Sequence, residues 1–246
     1  MTTHYKTRAL VFKKTDRNES DRIFSVFTDD FGRLDVFAKA IRKTVSKLRS
    51  GIDIFSFSDI EFIQGKNRKT LTDAAASERF KNIFQDPRRF DVARAIGEIL
   101  NNLIRGEEKH QDVFDLLKEV LYKLDNQDMK NKKYVLVYYY FLWNALSLLG
   151  HRPEVQRCNT CRQKLDPGSV YFSDKVGGVI CKECLGQDAL AQKINSDIVK
   201  ILRLIFNKDW QVLSKLKIEN ESEELFNKVS ENYYSYILSS YSSVNN

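Results

Sequence analysis

The sequence predicts an α+β protein made of a small closed β-barrel followed by a bundle of α-helices that a four-cysteine module interrupts. Three observations support this fold class. Short segments rich in β-branched and aromatic residues fill the first third of the chain, and apolar residues recur at helical spacing from about residue 82. All four cysteines form two CxxC pairs. We expect domains at 1–81 and 82–246, with the module inserted at about 154–188.

Five short strands are predicted before residue 82, separated by turn signals such as Asp29-Asp30-Phe31-Gly32 and Gly65. Five strands in roughly seventy residues suit a barrel of the OB type, a fold that often holds single-stranded nucleic acid across one face. A long basic connection then separates the third and fourth strands. The predicted strands span 7–14, 22–28, 33–38, 54–63 and 71–76.

Phenylalanine is concentrated in this region, with nine of the sixteen in residues 1–81. Strand alternation puts Phe55 and Phe57 on one face and Ile60 and Phe62 on the other. Either a bulge near Ser58-Asp59 switches the register, or Phe55 and Phe57 are exposed. We interpret most of these rings as barrel core, since a barrel this small must fill its interior, although exposed rings between cations would suit base stacking.

Helical periodicity begins at about residue 82. The clearest stripe is VFDLLKEVLYKL, and the apolar segment 134–149 ends at Gly150, with Pro153 preventing its continuation. The predicted helices span 91–105, 113–124, 134–149, 195–214 and 221–241.

The cysteines Cys158, Cys161, Cys181 and Cys184 stand as two CxxC pairs with nineteen residues between them. This spacing is typical of a zinc ribbon, in which each pair turns two thiolates toward one ion. Disulfides and a rubredoxin-like iron site are the alternatives. Four thiolates leave no open position on the metal, so we predict a structural zinc ion, and we interpret His151 as an ordinary loop histidine.

The excess positive charge lies in the first third of the chain. Residues 1–81 carry 17 Lys and Arg against 11 Asp and Glu, a net of +6, whereas the remaining residues carry 23 against 22. Two runs without a local acid predict a surface for a polyanion rather than a merely solvated loop. The candidate residues for binding this polyanion are Lys39, Arg42, Lys43, Lys47 and Arg49 in the first run, and Lys66, Arg68 and Lys69 in the second.

No feature of the sequence places the chain in a membrane or outside the cell. The N-terminus lacks the pattern of a signal peptide, and segment 134–149 would form a helix of only ~24 Å, short of the ~30 Å hydrocarbon core. We therefore expect a cytoplasmic protein whose thiols stay reduced.

The segment KTRALVFKKTDRNESDRIFSVFTDDFGRLDVFAKAIRKTVSKLRSGIDIFSFSDIEFIQGK resembles the N-terminal barrel of the bacterial DNA repair family RecO, through ESDRI, FTDDFG and the AKA-basic run-SKLRS loop. LLGHRPEVQRCNTC resembles that family's helix that leads into its zinc module. The resemblance covers most of residues 5–185. It implies an OB-fold, a helical domain and a zinc-ribbon-like insertion in a bacterial, nucleoid-associated protein.

The resemblance also implies an activity. Such proteins are non-enzymatic mediators of recombination and repair that bind single- and double-stranded DNA and anneal complementary strands. With RecR they help RecA displace single-strand-binding protein. Because this chain keeps all four cysteines, a bound metal is expected.

Two other functions remain open from the residues themselves. A metal-dependent nuclease needs clustered carboxylates, but Asp29-Asp30 and Glu107-Glu108 are adjacent pairs that indicate a turn and a helix start. An RNA-binding module is the second alternative, since OB barrels and zinc ribbons serve both nucleic acids. Only the resemblance favours DNA, and we predict a protein that is not an enzyme.

Overall fold

The fold is taken from a computed structural model, which describes residues 3–127, 129 and 133–243. For residues 242 and 243 it describes the backbone but not the side chains. The chain divides into two compact units, residues 1–138 and 139–246. The first unit contains the barrel and the first helices, and the second contains the cysteine module and the remaining helices. The domain boundaries predicted above stay predictions.

The barrel closes in the strand order β1-β2-β3-β5-β4, with only the β3–β5 pair parallel. Its interior is filled by side chains such as Val11, Phe24, Leu34, Ile60 and Phe62. The predicted fold class is thereby confirmed. The strands are β1 His4–Arg17, β2 Asp21–Thr28, β3 Gly32–Ala38, β4 Ser56–Gln64 and β5 Lys69–Arg79.

Phe55 and Phe57 are buried, so the alternative that they are exposed is wrong. The predicted bulge does not turn them inward either. Pairing between β4 and β5 shifts after Phe57, but the extra residue lies on β5. The two rings pack outside the barrel core, where helix-borne rings of the first unit cover them: Phe90 lies 5.2 Å from Phe55, and Phe114 lies 5.5 Å from Phe57.

The turn between β2 and β3 depends on Thr28 and Gly32. The Thr28 hydroxyl donates to the Gly32 carbonyl and accepts from the Phe31 N–H, each at 2.9 Å. Gly32 has φ +63°, and a Cβ there would collide with the backbone carbonyl of Glu108. Glycine is therefore required at this position for two reasons, its backbone conformation and the close approach of the Glu108 carbonyl.

The long connection between β3 and β4 is tied to the barrel along its length. Ile41 and Ile52 are buried in the barrel core, and Leu48 packs against it. The Asp21 carboxylate accepts from the Ala40 N–H at 2.8 Å, and Arg79 donates to the carbonyl of Ser50 at the end of a 3₁₀ turn, Lys47–Ser50. Apolar residues thus anchor the loop and leave the charged side chains between them exposed.

Three helices complete the first unit before the segment that leads to α4: α1 Lys81–Gln85, α2 Pro87–Leu103 and α3 Gln111–Asp125. Asp86 caps α2 by accepting from the Arg88 N–H, with a proline at the first helical position. The Asp125 side chain accepts from the backbone N–H groups of Asn82 and Ile83, which ties α3 to the start of α1. Helix α4, Lys133–Leu148, follows and crosses the boundary between the units.

The second unit holds a small sheet of order β7-β6-β8, with β6 Val170–Ser173, β7 Gly178–Cys181 and β8 Gln192–Ile194. The predicted helix 195–214 is wrong in its extent. The chain forms α5 Ser196–Phe206 and α6 Trp210–Leu213, separated by Lys208 at φ +55°. Helix α7, Asn220–Ser243, is the last described element, and its Ser230 accepts a hydrogen bond from the buried Trp143 indole at 2.9 Å. Among the described helices, none has the length and hydropathy needed to cross a membrane.

Candidate metal centre and nucleic-acid interface

The four cysteine sulfurs of the second unit lie within 4.8 Å of one another. Cys161 Sγ and Cys181 Sγ are 3.7 Å apart, and all four thiols are free. A disulfide needs sulfurs about 2.05 Å apart, whereas four ligands about 2.3 Å from a tetrahedral ion stand about 3.8 Å from one another. The arrangement therefore fits a metal ion rather than disulfides.

Short turns and strand ends bring these sulfurs together. Cys158 and Cys161 flank a tight turn in which the Cys158 carbonyl accepts from the Arg162 N–H at 2.9 Å, with Arg162 at φ +63°. Cys181 ends β7, and its backbone N–H points at Cys158 Sγ at 3.4 Å. Cys184 lies in the 3₁₀ turn that follows β7. The two CxxC pairs thus meet across the hairpin, as their spacing predicts.

Backbone dipoles favour a thiolate at one of the four positions. Burial raises the pKa of Cys158, but the backbone N–H groups of Cys161, Cys181 and Thr160 outweigh it and lower that pKa to about 6. Burial raises the pKa of Cys181, and the neighbouring Glu183 and thiols raise it further. A cation at the centre would reverse this second effect, because it stabilises every thiolate around it.

A basic cleft of about 630 Å³ lies on the barrel, and we call it the outer cleft. It is formed by the β1–β2 turn, strand β3, the β4–β5 turn and residues 106–107. In OB-folds, the face of the second and third strands and these two turns bind oligonucleotides. The cations that line it are Arg17, Arg33, Lys66, Arg68 and Lys69, against the acids Asp35 and Glu107.

The cations of the outer cleft differ in whether they already form an ion pair or a hydrogen bond. Lys69 is paired with Glu107 and only 15% of its side chain is exposed, while Arg33 donates to Asn101 at 3.0 Å. Arg17 and Lys66 are exposed and have no ion-pair partner within the described part of the chain. Arg68 is likewise exposed without an ion-pair partner in that part of the chain, so these three side chains are the ones most available to an incoming anion.

A second basic cleft, of about 290 Å³, opens at the end of the barrel under the β3–β4 connection, and we call it the mouth cleft. Its cations are Lys14, Arg22, Arg42 and Arg49. Lys14 pairs with Asp53 at 2.7 Å, and Asp16 pairs with both Arg22 at 2.7 Å and Arg42 at 3.4 Å. Arg49 is exposed and has no such partner among the residues described.

The eight predicted DNA-binding residues therefore separate into three places. Lys66, Arg68 and Lys69 line the outer cleft, and Arg42 and Arg49 line the mouth cleft. The remaining three are exposed in the β3–β4 connection and are absent from the described lining of both clefts: Lys39, Lys43 and Lys47. The sequence places these residues in two runs, whereas the fold divides them between two concave surfaces and an exposed connection.

Four further cations were missed because they lie within strands, outside the two basic runs: Lys14, Arg17, Arg22 and Arg33. Alternation along β1, β2 and β3 was the signal that could have found them, since polar residues on an otherwise apolar strand mark an exposed position. ESDRI contains one of them. Its Asp21 accepts a hydrogen bond from the Ala40 N–H at the start of the basic connection. Its Arg22 forms an ion pair with Asp16, which also pairs with Arg42.

The comparisons with known proteins agree over almost the whole chain. A family model described as Recombination protein O N terminal matches residues 1–80, and one described as Recombination protein O C terminal matches residues 85–242. A DNA repair protein RecO of Dehalococcoides mccartyi is 34% identical over 218 residues, covering 88% of this chain and 84% of that protein. Another, of Alkaliphilus metalliredigens, is 28% identical over 228 residues, covering 93% and 91%.

Both halves of the chain thus match the same family, in the order that the barrel and the helical part follow along the sequence. The similarity to the Dehalococcoides protein extends across both units. The chain belongs to the RecO family of DNA repair proteins.

Proposed function

We propose that this protein is a non-enzymatic recombination mediator that binds single- and double-stranded DNA through its barrel and anneals complementary strands. With RecR it would help RecA displace single-strand-binding protein from single-stranded DNA. We place this activity in the bacterial cytoplasm, at the nucleoid. The proposal also keeps the division into a DNA-binding barrel at 1–81 and a helical domain at 82–246 that carries the module at about 154–188.

The outer cleft is the observation that carries the proposal. Five cations line it against two acids, and it occupies the face and turns through which OB-folds hold oligonucleotides. The resulting positive field attracts phosphates and raises the rate of encounter with DNA. Lys39, Lys43 and Lys47, exposed on the anchored β3–β4 connection, extend this field beyond the clefts.

Binding through cations explains how annealing can proceed without any covalent reaction. Each Lys or Arg that neutralises a phosphate releases counterions, which favours binding to any sequence. Contacts to the backbone carry no sequence information and leave the base edges free to pair. Suppressing the repulsion between two strands while their bases stay accessible is what annealing requires.

The metal centre has a structural part in this proposal. The geometry of the four sulfurs supports Zn²⁺, which prefers four thiolates in a tetrahedron, and Cys158, Cys161, Cys181 and Cys184 would hold it. With all four positions taken by protein, the ion would supply folding energy and would hold no reactive water. The apolar core of the module is very small and consists of Cys158, Ile180 and Cys181 with a few partly buried neighbours. The bound ion would therefore supply stability that this core is too small to provide.

A strand-annealing assay tests the proposal. Labelled complementary strands, naked or coated with single-strand-binding protein, are mixed with the protein without nucleotide, and the products are run on native and denaturing gels. We expect duplex formation that slows as salt rises, with both strands intact. Failure to accelerate annealing on naked DNA would contradict the proposal. Protein-dependent cleavage that survives repurification and disappears on mutating an acidic residue would indicate a nuclease instead.

A further inference from the structure

The two basic clefts of the barrel lie on opposite faces of one two-stranded ribbon. In the antiparallel pairing of β1 with β2, Lys14 stands opposite Phe24, and Arg17 stands opposite Asp21. Successive side chains of a strand point to opposite faces, and Lys14 and Arg17 are three residues apart. Lys14 and Phe24 line the mouth cleft, whereas Arg17 lines the outer cleft.

The remaining lining residues follow the same alternation. Arg22 and Phe24 of β2 face the mouth cleft, and the residue between them, Ile23, faces the outer cleft. Phe24 also belongs to the barrel core, so the mouth cleft continues the barrel interior, while the outer cleft lies on the outside of the wall. The ribbon formed by residues 14–17 and 21–24 therefore separates two concave basic surfaces.

The mouth cleft keeps one exposed cation that forms no ion pair within the described residues, Arg49, and the outer cleft keeps three, Arg17, Lys66 and Arg68. The other cations of the mouth cleft are held in place by Asp16 and Asp53. Four cations against these two carboxylates leave a net positive charge in a cavity of about 290 Å³. Ion pairs that fix the guanidinium groups reduce the entropy lost when a phosphate binds.

We infer that the mouth cleft is a second, separate site for a nucleic-acid phosphate backbone, so that one chain holds two strands on opposite sides of the β1–β2 ribbon. The inference rests on the proposed function and adds to it a place for the second strand. The wall keeps the two backbones apart, and cations on both sides of it offset their mutual repulsion. Since neither cleft needs to contact base edges, bases of both strands remain free to pair beyond the wall.

Counting bound strands tests this. Native mass spectrometry of the intact protein with an oligothymidylate of about six nucleotides, near the lower end of site sizes per OB-fold, reports how many oligonucleotides each chain holds. We expect two for the natural protein. Arg49→Glu and Lys66→Glu make the same change in net charge at exposed, unpaired positions, so each should hold one, and the double variant none.

Lys81→Glu is the matched control, because Lys81 is an exposed cation of the same unit that belongs to the described lining of neither cleft. It should still hold two oligonucleotides. Circular dichroism verifies folding, and Arg49→Gln and Lys66→Gln repeat the test without reversing the charge. In the annealing assay, Arg49→Glu should keep its affinity for one strand and lose most of its rate enhancement.

The possible failures differ from one another. If the natural protein holds one oligonucleotide and both variants weaken it, the clefts form one continuous site, which overturns this inference and leaves the proposed function standing. If Arg49→Glu still holds two, the second strand lies elsewhere, and the mouth cleft is not its site. If the natural protein holds none at low salt, DNA binding by the barrel fails together with the inference.

Discussion

Arg68 lies over the ring of Phe37, with its guanidinium carbon 4.0 Å from the ring centroid. Both residues line the outer cleft, and Phe37 is only 9% exposed. The guanidinium therefore covers the phenylalanine of this cleft, and a base entering it meets the outer face of Arg68 rather than the ring. The planar guanidinium can stack on a base while its charge faces a phosphate.

Two substitutions of Arg68 distinguish the contribution of its charge to binding from the contribution of its planar guanidinium group. Arg68→Ala should reduce the slope of log affinity against log salt for single-stranded DNA by roughly 0.7, the value for one phosphate that is no longer neutralised. Arg68→Lys should keep that slope but weaken binding at every salt concentration, since it retains the charge and loses the stacked plane. Fluorescence anisotropy over a salt series measures both. Equal slopes in all three proteins would remove Arg68 from the interface.

The exposed cations of the β3–β4 connection should also contribute. The triple change of Arg42, Lys43 and Lys47 to Ala is expected to weaken single-strand binding alike for every sequence, with a slope reduced by roughly 0.7 for each phosphate that these side chains neutralise in the natural protein. The same salt series on oligonucleotides of different sequence checks this. A merely solvated loop predicts no change, and an unaltered slope in a folded triple variant would leave the outer cleft as the remaining candidate. Competition with matched RNA in the same assay discriminates the RNA-binding alternative.

The metal centre makes a prediction about stability. Elemental analysis of protein purified under reducing, chelator-free conditions should find about one zinc ion per chain. Cys181→Ser removes a ligand from the end of β7 and should lower both the zinc content and the melting temperature, because the binding energy of a structural metal is folding energy. Protein without stoichiometric metal would contradict the assignment.

Gly32 and Gly106 offer a matched pair of glycines with positive φ. Both adopt left-handed backbone conformations, but a Cβ at Gly32 would collide with the Glu108 carbonyl, whereas at Gly106 it would meet nothing within 4 Å. Gly106→Ala should cost about 1–2 kcal/mol from backbone strain alone, and Gly32→Ala clearly more. Urea denaturation of both variants measures the difference. Equal costs would show that the turn between β2 and β3 can move away from residue 108.

A carboxylate in the cysteine module should make stability depend on pH. Burial and the nearby Asp188 raise the pKa of Asp174 from 3.8 to about 6, while Asp188 itself accepts from Ser173 at 2.7 Å. The folded state therefore binds this proton more tightly than the unfolded state, so the stabilising contribution of the protonated form is lost as pH rises through about 6. Asp174→Asn should raise the melting temperature at about pH 8 and change it little at about pH 4. The reverse pattern would mean that the carboxylate is stabilised when ionised.

Much of this architecture could be predicted from local patterns. The five strands follow alternation and turn residues, and the paired sulfurs follow CxxC spacing, because both depend on neighbours along the chain. The cations of the two basic runs were equally visible, although those within the strands were not. These features need only the geometry of a turn or a strand, which a short segment specifies without the rest of the chain.

Long-range contacts control the features that local patterns missed. Phe55 and Phe57 are buried because Phe90 and Phe114, from helices later in the chain, cover them, and the alternation of residues 54–63 does not contain that information. The predicted helix 195–214 breaks at Lys208, where local propensity yields to the packing of Trp210 on Tyr140.

The difference between what the sequence determines and what the tertiary structure determines is clearest for the charged residues of the barrel. The order of residues along the chain established which positions carry charge and which four thiols can bind a metal. It did not establish which cations share a cleft, because that depends on how distant strands meet. Closure of the barrel brings Arg17 of β1 to the β4–β5 turn and places Lys14, only three residues earlier, on the other side of the wall.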